Sequence, residues 1–87
     1  MEAQNVSKEI KEMLAKMTGF EPEEIEDEMD LVKDLGVDSL KVIEIATALE
    51  RTFHVTVKDN QLIKLRKVKE AIQLLQDLLD KKAKKGK

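Results

Sequence analysis

The chain is organised around apolar residues that recur every three or four positions, which is the spacing of one face of an α-helix. The first run predicts a helix over about residues 5–18. Gly19 follows where this helix is expected to stop, because glycine adopts the left-handed conformation of a helix end without strain. The apolar positions of the run are Val6, Ile10, Met13, Leu14 and Met17.

A second run begins after Ser39 and predicts a helix from Ser39 to Phe53. It is apolar over more than half of its circumference, so we expect it to be packed on both sides or used for binding. Its apolar positions are Leu40, Val42, Ile43, Ile45, Ala46, Ala48, Leu49 and Phe53.

The C-terminal third of the chain predicts one further long helix. Its apolar positions run from Val68 to Leu79 and lead into lysines. Residues 54–65 (HVTVKDNQLIKL) predict a loop followed by a short helix with Leu62 and Leu65. No glycine or proline separates that short helix from the long one, so the two could also be continuous.

About twenty residues, Gly19 to Asp38, join the first two helices. A connection of this length is unusual in a compact bundle, and long ordered loops are usually functional. We expect Pro22 to begin a short turn. Leu31, Val32 and Leu35 are expected to hold the loop against the core.

The length of the chain limits what it can do. Eighty-seven residues make one domain, and a chain of this size buries only about 60% of its unfolded surface. No room remains for a deep cleft on a catalytic scaffold. We therefore predict an all-α fold of three main helices and one short helix over residues 1–80, followed by a basic tail at 81–87.

The composition excludes several kinds of site. The chain has no cysteine, and hence no disulfide, no thiolate zinc site and no thiol nucleophile. No apolar run approaches the ~20 residues that span a bilayer, and the first residues contain no apolar targeting segment. We expect a soluble, cytoplasmic monomer without a metal site.

Charge is distributed unevenly along the chain. Residues 1–59 carry fifteen acidic and seven basic side chains, whereas residues 60–87 carry three and nine. Nine acids and the single Lys33 lie between Glu21 and Asp38. An acidic surface repels nucleic acid and favours basic partners. The lysines near the C-terminus lack interleaved aromatics, so we predict no nucleic-acid partner and no membrane partner.

Ser39 is the residue whose chemistry needs an explanation. It lacks the flanking glycines of a G-x-S-x-G nucleophile elbow. His54, the only histidine, lies past the end of the predicted helix, about 20 Å away at 1.5 Å per residue. The preceding DEMDLVKDLGVD lacks the ligand spacing of a calcium loop. We therefore expect neither an enzyme nor a metal site.

Two roles remain for the polar pair of Asp38 and Ser39. Either side chain could simply cap the second helix by accepting a first-turn N–H. Alternatively, Ser39 could be the acceptor of a phosphodiester, because the N-terminal end of a helix favours an anion. In that case a separate enzyme activates the serine, and no base is required in this chain.

The stretch Asp34-Leu35-Gly36-Val37-Asp38-Ser39-Leu40 resembles the D-L-G-x-D-S-L signature of acyl carrier proteins. The resemblance continues without gaps from Val6 to Leu75. It implies a four-helix bundle with a long loop between the first two helices. It also implies that Ser39 carries 4′-phosphopantetheine, derived from coenzyme A, that Asp38 supports its attachment, and that acyl groups travel as thioesters.

The same resemblance implies partners and a shelter for the acyl chain. The partners are a phosphopantetheinyl transferase and the acyl-transferring and synthase enzymes of fatty-acid, lipid or polyketide synthesis. The expected partner-binding residues are Asp34, Leu40, Lys41, Ile43, Glu44, Thr47 and Arg51. The expected lining of the acyl cavity is Val32, Ala46, Leu49, Leu62, Leu65 and Ala71.

The second helix departs from the acidic pattern of ordinary fatty-acid carriers. Between Ser39 and Phe53 it has two acids, Glu44 and Glu50, and two bases, Lys41 and Arg51. This neutrality favours a specialised carrier. The alternative is a small helical adaptor without a prosthetic group, which would tolerate alanine at position 39.

Overall fold

The computed structural model describes residues 4–85, with the side chains of residues 6–82. These residues form four α-helices and a 3₁₀ turn, as the sequence predicts, and no helix among them is long and apolar enough to cross a membrane. The helices are α1 (Gln4–Thr18), α2 (Ser39–Phe53), α3 (Asp59–Leu62) and α4 (Val68–Lys85), and the 3₁₀ turn is Pro22–Glu24.

The ends of the first two helices agree with the apolar pattern to within one residue. Gly19 ends α1 with a φ of +87°, and its N–H donates to the carbonyl of Ala15 at 2.9 Å. α2 instead ends at His54, which has a φ of 57°. The N–H of His54 donates to the carbonyl of Glu50 at 2.8 Å.

The core lies where α1, α2 and α4 meet, and the long loop contributes to it. Leu31 and Leu35 are buried as predicted, but the prediction for Val32 is wrong, because its side chain is 59% exposed. Residues 31–35 form turns in which positions four apart share a face, so Leu31 and Leu35 point inward and Val32 outward. Val37, which is fully buried, provides the third anchor.

The short and long C-terminal helices are separate. α3 ends at Leu62, and residues 63–67 lead to α4 as a non-helical linker. This linker pairs with the long loop: the N–H of Leu31 donates to the carbonyl of Arg66 at 2.7 Å, and the N–H of Val68 donates to the carbonyl of Met29 at 3.0 Å.

The beginning of α4 is also held by a side chain from its own first turn. The carboxylate of Glu70 accepts the N–H of Arg66 at 2.7 Å and that of Lys67 at 3.1 Å. α4 then continues to Lys85, so its backbone includes residues 81–85 of the segment that we expected to be a tail. Residues 86 and 87 of that segment lie outside the described residues.

Ion pairs reinforce the contact between the long loop and the start of α4. Glu28 accepts from Lys69 at 2.9 Å and from Lys67 at 3.2 Å. The hydrogen bonds from Lys69 and Lys67 lower the pKa of Glu28 below its ordinary 4.5. Within the loop, hydrogen bonds from the backbone of Lys33 and Val32 lower the pKa of Asp30 below 3.8, against the opposing effect of desolvation.

The depressed pKa values of Glu28 and Asp30 predict a loss of stability in acid. A carboxylate with a lower pKa in the folded state stabilises the fold above its unfolded pKa, near 4.5 for Glu28, and this contribution disappears as the pH falls through the folded pKa. We expect the free energy of unfolding, measured in urea at pH 6, 5, 4 and 3, to decline below about pH 5. Glu28→Gln should decline less steeply; an unchanged slope would contradict a contribution from these ion pairs.

Candidate functional site

Ser39 is the first residue of α2, and its side chain is exposed. The cap of this helix is Asp38, whose carboxylate accepts the N–H of Lys41 at 2.9 Å. Of the two residues that could cap α2, the structure therefore selects Asp38, and the Ser39 hydroxyl forms no hydrogen bond within the described part of the chain. The N–H groups of Ser39 and Leu40 likewise have no acceptor among the described residues.

The turn before Ser39 is fixed by two aspartates whose carboxylates accept backbone N–H groups of the same turn. Asp30 Oδ1 accepts the N–H groups of Val32 and Lys33 at 2.9 and 2.8 Å. Asp34 Oδ2 accepts the N–H of Asp30 at 2.7 Å. The carboxylate of Asp34, which we expected to face partners, is thus engaged inside the loop.

Gly36 and Val37 bring the chain from that turn to the helix. Gly36 has a φ of +72°, a conformation that glycine adopts at little cost. The N–H of Val37 then donates to the carbonyl of Leu31 at 2.8 Å. Because Val37 is fully buried, the position of Asp38 and Ser39 is set by the core.

No catalytic machinery surrounds Ser39 in the described residues. His54 lies at the opposite end of α2, about 20 Å away along the helix axis. The described residues contain no group of three or more histidine, aspartate or glutamate side chains that could hold a metal ion.

An apolar groove of about 760 Å³ opens beside Ser39. It lies between the end of the long loop, the first half of α2, and α3 with its linker. Three of the predicted lining residues are in it: Val32, Leu62 and Leu65. Ala46, Leu49 and Ala71 are instead buried in the core, with exposures of 6%, 0% and 1%, and do not line the groove.

The other apolar residues that line the groove were not predicted to do so. Val37, Val42 and Ile63 were not assigned to the cavity, and Ile43 was assigned to the partner surface. The spacing offered a usable signal for two of them, since Val42 and Ile43 follow Ser39 by three and four positions and so lie on its side of the helix.

The predicted partner-binding residues of α2 share its exposed face, with one exception. Lys41 is half-buried, and at 100° per residue it lies about 80° around the helix from Arg51. It therefore sits at the edge of the face. The residues on the face are Leu40, Ile43, Glu44, Thr47 and Arg51.

Comparison with known proteins identifies a family and relatives that are similar in sequence to this chain. The family described as "Phosphopantetheine attachment site" matches residues 8–75. The acyl carrier protein of Coprothermobacter proteolyticus is 34% identical over 79 residues, covering 91% of this chain and 96% of the relative. That of Wolinella succinogenes is 34% identical over 68 residues, covering 78% and 90%.

Solved structures share the fold. The crystal structure of the acyl carrier protein from Thermotoga maritima superposes with a TM-score of 0.78 at 28% identity, covering 93% of this chain and 94% of the other. The acyl carrier protein from Enterococcus faecalis gives a TM-score of 0.76 at 22% identity, covering 90% and 99%.

Proposed function

Because this chain belongs to the acyl carrier protein family, we propose that Ser39 is the residue to which its 4′-phosphopantetheine arm is attached. Members of this family are carriers rather than catalysts, and the arm, when bound, holds acyl groups as thioesters. The observation that carries the assignment is the exposed, unbonded hydroxyl of Ser39 at the start of α2. An adaptor without a prosthetic group is not supported, since the family is defined by the attachment site.

The surroundings of Ser39 fit a phosphodiester with a flexible arm. Its hydroxyl lies at the positive end of the α2 dipole, where the N–H groups of Ser39 and Leu40 are available to an anion. The adjacent groove provides apolar walls for the arm and for the start of an acyl chain. Each buried CH₂ of such a chain contributes about 0.8 kcal/mol.

Ser39→Ala tests the assignment directly. After incubation with coenzyme A and a promiscuous phosphopantetheinyl transferase, the wild type should gain the mass of one phosphopantetheine group and Ser39→Ala none. Ser7→Ala is the matched control, because Ser7 is the only other serine, and it should be modified like the wild type. Modification of the Ser39→Ala protein would show that the arm is attached elsewhere.

Asp38 has two separable roles in this proposal. Its carboxylate caps α2 through the N–H of Lys41, and it lies beside the acceptor hydroxyl, where a negative charge can assist the transferase. Asparagine caps a helix about as well as aspartate but carries no charge. The two roles can therefore be distinguished by substitution.

Asp38→Ala should lower the free energy of unfolding by about 1 kcal/mol, whereas Asp38→Asn should change it by much less. Both variants should accept the arm more slowly, by about tenfold, if a charge-assisted contact worth about 1.4 kcal/mol is lost. Urea unfolding and the initial rate of mass gain give the two quantities. A normal rate of attachment of the arm to Asp38→Asn would show that Asp38 acts only as the cap of α2.

Acyl carrier proteins act with synthase and transferase enzymes, and we propose that this one is a cytoplasmic monomer dedicated to a restricted set of them. The support for a restricted set of enzymes is the charge of the exposed face of α2, where Glu44 and Arg51 offset each other. Glu50 does not add to this face, because its carboxylate is occupied by the N–H of Val57 at 2.8 Å. Such a face lacks the negative field that steers a carrier toward basic enzymes.

Arg51→Glu combined with Lys41→Glu should make the holo protein a better substrate for general fatty-acid synthase enzymes. No ion pair within the described residues joins either base to Glu44 or Glu50, so both charges are available to a partner. We expect turnover to rise by about three- to tenfold at low salt and the gain to shrink at high salt. Arg51 should account for most of the gain, because Lys41 lies at the edge of the face.

The matched control changes the net charge equally, on α1 instead of on the exposed face of α2. Lys8→Glu with Lys16→Glu alters two exposed lysines of α1 and should leave turnover nearly unchanged. Equal turnover of the wild type and the Lys41/Arg51 double variant at low salt would refute a restricted partner set based on the charge of α2.

A further inference from the structure

A second groove, of about 520 Å³, lies at the end of α2 opposite to Ser39. It is formed by the loop after α2, the start of α3 and the last turns of α4. Its floor contains two half-buried apolar side chains, Val55 and Leu78. Its rim contains three exposed lysines and no acidic side chain: Lys58, Lys81 and Lys82.

The positive charges of the rim lysines are not neutralised by acidic side chains of the described residues. Lys58 and Lys81 form no ion pair with the described residues. Lys82 donates to the carbonyl of Phe53 at 3.0 Å, which fixes the end of α4 against the end of α2. A neutral acceptor leaves the positive charge of Lys82 available to the groove.

His54 gives a second, independent indication at the same place. It is the only residue other than glycine with a positive φ in the described chain, and its side chain lines the groove. Glycine would adopt this helix-terminating conformation more easily. Backbone strain retained at a particular side chain is a recognised sign of function.

We propose that this basic groove docks an acidic amphipathic helix of a partner protein, with one apolar side chain seated on Val55 and Leu78 and carboxylates beside Lys58 and Lys81. The concave shape favours a protruding side chain over a flat lipid surface. A second copy of this chain fits less well, because six of the nine acids of its long loop are engaged within its own chain: Asp27 and Glu28 pair with lysines, and Glu24, Asp30, Asp34 and Asp38 accept backbone N–H groups.

The proposed docking is independent of the Ser39 assignment. The two ends of α2 are separated by about 20 Å, so a partner bound at the basic groove does not have to cover Ser39. The two grooves nevertheless share α3 and its cap, which contribute Lys58 and Gln61 to the basic groove and Asp59 and Leu62 to the groove beside Ser39. Docking there would hold the carrier near an enzyme and raise the effective concentration of its cargo.

The test uses a synthetic peptide of about 16 residues, which is longer than the about 12–15 residues below which isolated helices are marginal in water. A covalent staple holds it helical. The peptide carries one leucine stripe flanked by glutamates. Titration into the ¹⁵N-labelled full chain should shift the backbone amides of residues 54–58 and 78–82 in a saturable manner. A peptide with lysine in place of glutamate should leave these amides unshifted, since it removes the charge complementarity.

Two variants locate the interaction. Lys58→Glu with Lys81→Glu should weaken binding of the acidic peptide by about fivefold or more, whereas the control Lys8→Glu with Lys16→Glu, of equal net charge, should bind like the wild type. His54→Gly should also weaken binding while raising the thermal midpoint by about 2–6 °C. Because this variant is expected to be more stable, its weaker binding cannot be attributed to unfolding.

The other outcomes overturn the proposal. Absence of saturable shifts at residues 54–58 and 78–82, or equal binding to the two lysine double variants, would show that the groove does not dock an acidic helix. Stronger binding to vesicles containing anionic phosphatidylglycerol, lost in Lys58→Glu with Lys81→Glu, would assign the groove to lipid. Concentration-dependent shifts of the same amides without peptide would assign it to a second copy. Modification of Ser39 is measured separately and is unaffected by any of these results.

Discussion

The structure depends on the pairing between the long loop and the linker before α4. Three backbone hydrogen bonds join residues 27–31 to residues 66–69, and Glu28 adds ion pairs to Lys67 and Lys69. This pairing keeps the loop ordered and brings Val37 into the core. It also interrupts the C-terminal helical segment, so that α3 can stand apart and form one wall of the groove beside Ser39. The position of Ser39 and the groove beside it are therefore consequences of the same contact.

The backbones at the two ends of α2 are completed differently. At the start, Asp38 caps the helix and leaves the adjacent serine hydroxyl and two N–H groups available. At the end, the left-handed His54 and the ammonium of Lys82 complete the last turn. The start therefore suits a covalent anion and the end suits an acidic partner. The exposed face of α2 between these two ends carries no net charge.

Helix bounds, a cap of α2 at Asp38 or Ser39, and Ser39 as the proposed acceptor were accessible from the sequence, since each depends on local spacing or on a short motif. Contacts between distant segments were not. The break between α3 and α4 contains no glycine or proline, and its cause lies in the loop some forty residues earlier. Lys67 occupies the position where a serine or threonine would have indicated a helix start, so the hydrogen bond that its N–H donates to Glu70 gave no recognisable signal in the sequence.

Whether an apolar residue belongs to the core or to the groove was harder to predict, because this too depends on contacts between distant segments. Ala46, Leu49 and Ala71 have the apolar character of groove residues, and only packing shows that they are sealed inside. Val32 and Val37 differ in burial because of the turn between them, which neither side chain reveals. Periodicity identifies the face of an element, but which neighbour covers that face is decided by tertiary structure.

The pairing of the loop with the linker also bears on how the protein folds. Glu28 and Lys69 are separated by 41 positions, whereas the contacts that build each helix are local. Contacts of long sequence separation carry the larger loop-closure entropy and slow folding. Helices of a nascent chain can therefore form before the turn ahead of Ser39 is anchored. A modifying enzyme that requires the anchored turn would distinguish finished molecules from immature ones, and only the finished ones would enter the pool of loaded carriers.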